Sequence, residues 1–376
     1  MSDPDVFPVD TQIAEIMSRV SQPIKNRDAQ VPRVEREGTQ LYLEISYNTD
    51  PGEESEVNFS RAYVFEDVHP DKEAYIREQL ASMDFDKART EGIIVGIEKI
   101  QDKAIQGMVY ELLNFLEDRQ KKILLYLYRE AAAQSDGPMV TIDTNDLMTA
   151  LNYSKSNNGY FASSDRQRLS QDLATLENVK ITIGKPLQTK KGVVANFTRL
   201  SLISIRGFQR TGVEDPDFDW RKAIRLTSDL PSELTIRLEI WNSIEEGRYI
   251  ALSKELDIAH VKKQGRHEDY SFKLLMYLAG QISRKGLVDG KYLSLIKHYV
   301  FKNMGLLGKN DSRNNSTFRL AAQKLVDQGY LHTFSECTNQ KSMPAINFEI
   351  NKEKICLVQK PQRGRRKQVI LEDASA

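Results

Sequence analysis

Apolar residues recur along the chain first with helical spacing and then with the alternation of strands. Between residues 103 and 133 they follow i, i+3 and i+4 spacing, which predicts helix, and Gly137-Pro138 ends this run. Asp143 or Thr144 stands where a helix cap is expected. In chain order the pattern predicts helix over 103–133, strand over 139–143, helix over 145–153, helix over 163–178 and a hairpin over 179–197.

The same order of elements returns in the second half of the chain with little shared sequence. It predicts helices over 267–286, 291–306 and 310–329, followed by strands over 330–338 and 345–358. Helix, strand, helix, helix, strand, loop and strand is the order of a winged helix. We therefore predict an α+β chain, mainly helical, with two tandem winged-helix domains and an acidic N-terminal extension.

Composition and turn residues divide the chain into four predicted regions. We expect residues 1–38 to be mostly flexible, with a short helix near Ile13–Val20, and a hairpin to follow them. A Gly/Pro/Asp-rich segment sets a boundary near Asp215. The regions are an acidic N-terminal region with a hairpin over 1–95, a first winged-helix domain over 96–215, a second over 216–358 and a basic disordered tail over 359–376.

Charge is distributed unevenly although the formal net charge is zero. Residues 1–120 carry 13 Lys+Arg and 25 Asp+Glu, and the remaining residues carry 40 and 28. An acidic front on a basic body favours an anionic partner for the body. The alternative is a solvated surface with uneven charge, which requires no partner.

The cysteine count and the absence of long apolar runs predict a cytoplasmic protein. Cys337 and Cys356 are the two cysteines of this 43.0 kDa chain, and secreted proteins of this size usually carry more. The N-terminal MSDPDVFPVDTQ lacks the apolar core of a signal peptide. No run of 18 apolar residues occurs, so the sequence predicts no membrane-spanning helix.

The helix predicted over 163–178 has one apolar face and one polar face. Leu169, Leu173 and Leu176 fall on one side and predict the core face. The polar side carries residue types that bind base edges, and the loop of the following hairpin is rich in lysine, as expected for phosphate contacts. The candidate DNA-binding residues of this module are Arg166, Gln167, Arg168, Gln171, Thr175, Lys185, Lys190 and Lys191.

The helix predicted over 310–329 repeats this arrangement. Phe318, Ala321, Ala322, Leu325 and Val326 predict its core face. The candidate DNA-binding residues on its polar side are Arg313, Ser316, Arg319, Gln323 and Lys324. An ordinary amphipathic helix beside a solvated hairpin would explain either module alone, whereas two in tandem favour double-stranded DNA as the partner.

Two segments carry a resemblance to a known family. EGIIVGIEKIQDKAIQGMVYELL looks like the opening helix of the first winged helix of the bacterial plasmid replication initiators (Rep proteins). TIDTNDLMTALNYSKSNNGYFASSDRQRLSQDLATLENVKITIG is similar to the two helices and the wing that follow in them. The resemblance covers about residues 95–358 and is one of layout and local pattern.

The resemblance implies more than the residues do. It implies binding to origin repeats (iterons) through both winged helices, recruitment of the host replication helicase or its loader, and no ATPase activity. It also implies that monomers open the origin while homodimers repress the initiator's own promoter. No cofactor follows from it.

Enzyme chemistry finds little support in the sequence. No GxxxxGK[ST] phosphate-binding loop is present, and none of the five histidines forms a His-x-His pair. One acidic cluster, Glu214, Asp215, Asp217 and Asp219, has residue types that could hold Mg²⁺, but no second acidic motif pairs with it.

Three functional hypotheses remain, in descending order of support. The first is a non-enzymatic, sequence-specific replication initiator. The second is a DNA-binding transcriptional regulator on the same scaffold. The third is a metal-dependent DNA-processing enzyme that uses the acidic cluster.

Overall fold

The computed structural model combines helices with antiparallel sheets. It describes residues 5–19, 33–38, 40–47, 58–65, 69–81, 100–103, 105–106, 108–109, 116–134, 137–189, 192–209, 230–259, 269–306 and 310–359. The elements are β1 (Val6–Asp10), α1 (Thr11–Arg19), β2 (Arg33–Glu37), β3 (Gln40–Tyr47), β4 (Asn58–Phe65), α2 (Pro70–Ala81), α3 (Asp118–Gln134), β5 (Met139–Asp143), α4 (Thr144–Ala150), α5 (Ser163–Asn178), β6 (Val179–Thr189), β7 (Gly192–Leu200), β8 (Ile203–Gln209), β9 (Glu233–Leu238), α6 (Asn242–Glu245), β10 (Arg248–Ser253), α7 (Tyr270–Lys285), β11 (Tyr292–Ile296), α8 (Lys297–Met304), α9 (Asp311–Asp327), β12 (Leu331–Thr338), β13 (Pro344–Ile350) and β14 (Ile355–Gln359).

The first half of the chain builds a unit around α3, β5, α4 and α5. As predicted, Asp143 caps α4, its carboxylate accepting hydrogen bonds from the backbone N–H groups of Asn145 and Asp146. Strand β5 pairs with β9, and β9 pairs with β8, so the sheet order is β5-β9-β8. Backbone hydrogen bonds between β5 and β9 therefore cross the domain boundary predicted near Asp215.

The hairpin that follows α5 lies in a different sheet from β5. Strands β6 and β7 form the predicted hairpin, but β6 pairs with β4 of the N-terminal hairpin. The result is a five-stranded sheet in the order β2-β3-β4-β6-β7. The strands that pair beside β5 are β8 and β9, which come later in the chain. The hairpin predicted after α5 is therefore present, but it does not join the sheet that contains β5.

The second half builds a similar unit around α7, α8 and α9. Its three strands pair in the order β11-β13-β12. The segment 291–306, predicted as a single helix, is strand β11 followed directly by helix α8. The segment 345–358, predicted as one strand, is divided by a turn, and its second part is β14.

Residues 5–19 are part of the core, and the prediction that they are mostly flexible is wrong. Strand β1 pairs with β10, which pairs on its other edge with β14. The predicted short helix is present as α1, and Ile13, Ile16 and Met17 are buried. Helix α1 packs against α7, so the start of the chain is built into the second unit.

One continuous set of buried side chains joins these elements. It runs from Phe7 and Ile13 through α3 and α5 to Phe318 and Phe348 in the second unit. Among the described residues, no helix is both long enough and apolar enough to span a bilayer. Both cysteines are unbridged and partly exposed.

Candidate nucleic-acid interface

A groove of about 1030 Å³ runs along the outer face of α9. Strand β12 forms its second wall, and the first residue of α8 closes one side. The helix presents this face because Phe318, Ala321, Ala322 and Leu325 are buried on the opposite side, as predicted. The groove is lined by Lys297, Ser312, Asn315, Ser316, Arg319, Leu320, Gln323, Phe334 and Glu336.

Glu336 holds two cationic side chains of the groove together. Nε and Nη2 of Arg319 donate hydrogen bonds to Oε1 of Glu336, at 3.1 Å and 2.9 Å. Nζ of Lys297 donates to Oε2 at 2.5 Å. The hydrogen bonds from Lys297 and Arg319 hold the pKa of Glu336 below its usual value, so the carboxylate is ionised at neutral pH.

An apolar side chain stands beside these charges. Leu320 is 71% exposed, one of the few large hydrophobic residues at the surface of the described chain. Ser316 and Gln323 flank it in the groove, and the Gln323 amide donates to Oδ1 of Asp327 at 2.9 Å. The groove thus offers a cation, a methyl-bearing side chain and hydroxyl and amide groups on one helix face.

Two candidates on α9 lie away from this groove. Lys324 faces Asp269, the N-cap of α7, with Nζ 3.7 Å from its carboxylate. Arg313 is exposed in the first turn of α9, where its backbone N–H is capped by Asn310. Lys324 therefore stabilises the contact between α9 and α7, which the helical wheel could not indicate.

Helix α5 is held by a buried ion pair to α3. Arg119 donates from Nε to Oδ2 of Asp172 and from Nη2 to Oδ1 at 2.7 Å, and Gln120 also donates to Oδ1, at 3.3 Å. Both members of the pair are buried. A buried carboxylate fully paired in this way fixes the rotation of α5 about its axis.

That rotation leaves three of the five candidates on α5 at the surface. Gln167, Arg168 and Gln171 are exposed as predicted. Thr175 is only 6% exposed and its hydroxyl donates to the Gln171 carbonyl, so its prediction as a base contact is wrong. Nη2 of Arg166 donates to the Leu230 carbonyl at 2.7 Å. Arg166 therefore stabilises the contact between α5 and the segment that contains Leu230.

The turn before α5 adds an exposed aromatic residue that the sequence pattern did not single out. Tyr160 is 76% exposed, and its carbonyl closes the turn by accepting from the N–H of Ser156. The neighbouring Phe161 is buried and anchors the turn to the core. The sequence signal for this residue is its position, after an Asn-Asn-Gly turn and just before a polar helix.

Several predicted features lie where side chains are not described. Lys185 is part of β6 and pairs with Asn196 through the backbone, but its side chain is outside the described residues. Lys190, Lys191, the acidic cluster 214–219 and the tail beyond Gln359 lie wholly outside the described residues. Within the described part of the chain, no group of three or more His, Cys, Asp or Glu side chains could hold a metal ion.

Comparison with solved structures gives likenesses that include two crystal structures of RctB domains. No family model and no curated protein matches the chain. The crystal structure of a selenomethionine derivative of domains 2 and 3 of RctB covers 90% of this chain and 98% of that chain, with a TM-score of 0.40 and 9% identity. A second crystal structure, RctB residues 155–483, covers 90% and 96%, with a TM-score of 0.38 and 9% identity. Both measures of similarity are low.

Proposed function

We propose that this chain binds double-stranded DNA in a sequence-specific manner and initiates replication at repeated origin sites. The observation that carries the proposal is the repetition of one unit. In both halves a helix, a strand and two further helices are followed by two strands that complete a three-stranded antiparallel sheet with the first strand, and in the first half β6 and β7 come before those two strands. In both, the last of these three helices turns a polar face outward.

In this proposal α5 and α9 are the recognition helices of two winged helices. The wing of the second unit is the hairpin β12–β13, and its first strand lines the groove with Phe334 and Glu336. The wing of the first unit is the hairpin β8–β9, because those strands pair beside β5. The first unit then extends to Leu238, with the hairpin β6–β7 inserted between recognition helix and wing.

The side chains on the two outer faces suit base reading and phosphate contact. Gln and Arg bind adenine and guanine edges bidentately in the major groove. Gln167, Arg168 and Gln171 supply these groups on α5, and Arg319 and Gln323 supply them on α9. Lys185 in β6, and Lys190 and Lys191, which follow β6 in the sequence, remain proposed phosphate contacts.

The function proposed is one of binding, without catalysis or a cofactor. Recruitment of a host helicase or loader and formation of a homodimer belong to the same proposal and rest on the resemblance to the plasmid initiators. A transcriptional regulator on this scaffold is the alternative, since the same two faces would serve a promoter.

Selection from a randomised duplex pool, followed by footprinting of the full chain on the selected duplex, tests the proposal. Two recognition helices in successive major grooves should protect about two helical turns, roughly 20 bp, without a palindrome. Directly repeated copies of the selected site beside the gene would support an initiator, and a single promoter palindrome would support the regulator. Failure to enrich any duplex would overturn both, and Mg²⁺-dependent cleavage of the duplex would point to an enzyme.

A further inference from the structure

We propose that Arg319 and Leu320 read two neighbouring bases, a guanine and a thymine, and that Glu336 is the residue that positions Arg319. This inference rests on the proposed DNA binding and assigns the chemistry of the α9 groove. Leu320 and Glu336 both line that groove, and neither is a candidate from the sequence pattern.

The guanidinium of Arg319 is held by one edge and open on the other. Its Nε and Nη2 are bound to Oε1 of Glu336, and the side chain is 65% exposed. Within the described part of the chain, Nη1 of Arg319 makes no hydrogen bond. The free edge, Nη1 with the second hydrogen of Nη2, has the spacing that guanine O6 and N7 accept. An arginine fixed in this way loses little side-chain entropy when it binds a base.

Glu336 also lowers the attraction of the groove for phosphate. Its carboxylate pairs with both Arg319 and Lys297 and lowers their combined charge from +2 to +1, which weakens attraction to the phosphates of any sequence. An acidic residue in a DNA groove is unfavourable for general affinity. It is favourable for discrimination, because it removes sequence-independent contacts while it orients a sequence-dependent one.

Leu320 supplies an apolar contact at the adjacent position. A side chain that is 71% exposed on this face has no role in the core, and its methyl groups suit the C5-methyl of thymine. Arg319 and Leu320 are consecutive residues that line the same groove, and in this proposal they contact neighbouring bases.

The test compares duplexes selected by the full chain and by its variants. Arg319→Lys keeps the charge and removes the fork, so its selected motif should lose one guanine and keep the rest. Leu320→Ala should lose the preference for one adjacent thymine. Val288→Ala is the matched control, because Val288 is 63% exposed but does not line the groove. Its motif should equal that of the unaltered chain.

Base analogues then identify the contacting atoms. Replacing that thymine by deoxyuridine, which lacks the methyl, should weaken binding of the unaltered chain about fourfold, the factor for one buried methyl group. Leu320→Ala should be insensitive to this change. Replacing the guanine by 7-deazaguanine, which lacks N7, should cost the unaltered chain about tenfold and Arg319→Lys little.

Glu336→Gln separates positioning from a merely structural role. The variant should bind random duplex more tightly, with a steeper salt dependence, and should discriminate less at the guanine. If a duplex is selected but all variants keep its motif, or if both analogues bind as well as the natural bases, the assignment is wrong while DNA binding stands. If the unaltered chain enriches no duplex, both the base assignment and the proposed DNA binding are wrong.

Discussion

Gly280 of α7 and Ser18 of α1 lie in direct contact, with no room for a side chain on the glycine. A Cβ atom on Gly280 would stand 2.2 Å from both Cβ and Oγ of Ser18 and 2.9 Å from the Ala14 carbonyl oxygen. Two helices approach this closely only where one of them carries no Cβ. The contact seats the N-terminal helix on the second unit.

We therefore expect Gly280→Ala to destabilise the protein. Overpacking typically costs about 1–3 kcal/mol, and this outweighs the gain of about 1 kcal/mol in helix propensity. Ser18→Gly in the same chain should recover part of the loss. Denaturant unfolding measures both, with Gly207→Ala as the control, because a Cβ there would meet Thr235 at an ordinary 3.6 Å. Equal stability of Gly280→Ala and the unaltered chain would contradict this packing.

The buried pair of Arg119 and Asp172 gives a second prediction. Asp172→Asn leaves the buried Arg119 guanidinium with only the half-exposed carboxylate of Glu117, 3.5 Å away, which should lower the free energy of unfolding by about 3–5 kcal/mol. The double variant Arg119→Leu, Asp172→Leu should be less destabilised than the single one, since it leaves no unpaired charge. A single variant that unfolds like the unaltered chain would show that this pair does not hold α5.

Arg166 and Arg168 lie on the same helix, but Arg166 binds a backbone carbonyl and Arg168 is exposed. Arg166→Ala removes the hydrogen bond to the Leu230 carbonyl, so stability should fall by about 1–3 kcal/mol while the DNA motif is retained. Arg168 is exposed, so Arg168→Ala should leave stability within about 0.5 kcal/mol. Its affinity for the selected duplex should fall by about 1–3 kcal/mol and for random duplex much less. Equal loss on both duplexes would make Arg168 a phosphate contact.

Lys121 predicts an alkaline pH dependence of stability. Burial lowers its pKa from 10.5 to about 8, and Asp118, with its carboxylate 3.9 Å from Nζ, only partly opposes this. Between these two values the unfolded chain binds more protons than the folded chain, so this group makes stability rise with pH there. The rise amounts to about 1.4 kcal/mol per pH unit.

Lys121→Met isolates that contribution. The variant should be more stable than the unaltered chain below pH 8, and the difference should shrink between pH 8 and 10.5. Unfolding curves at several pH values for both proteins provide the measurement. A difference that does not change between pH 8 and 10.5 would show that the pKa of Lys121 is not lowered in the folded protein.

Local elements followed from the sequence because their signals are local. The apolar spacing of α5 and α9, the cap at Asp143 and the N-terminal hairpin depend on residues a few positions apart. Strand partners depend on residues far apart in the sequence and did not follow from these local signals. Pairing of β6 with β4 and of β9 with β5 joins residues about 100 positions apart or more, and several polar-apolar alternations compete for each partner.

The helical wheel of α5 placed Thr175 on the wrong face for a related reason. It assumed one narrow apolar stripe, but Ser170, Asp172 and Thr175 are buried together with the leucines because α5 packs against α3 as well as the sheet. The role of Glu336 was also out of reach. It depends on a strand residue facing a helix residue 17 positions earlier, which only the folded chain reveals.

The sheet β1-β10-β14 has a consequence for synthesis. Its three strands lie far apart in the sequence, at residues 6–10, 248–253 and 355–359, with Val6 opposite Ser253 and Arg248 opposite Gln359. At roughly 5–20 residues per second, β1 leaves the ribosome about 10 to 50 seconds before its partner exists. During that interval Phe7, Val9 and the apolar face of α1 are an exposed hydrophobic segment of a nascent chain. This protein is therefore expected to close its second unit only after β14 has been synthesised, and to depend on chaperones that bind such segments until then.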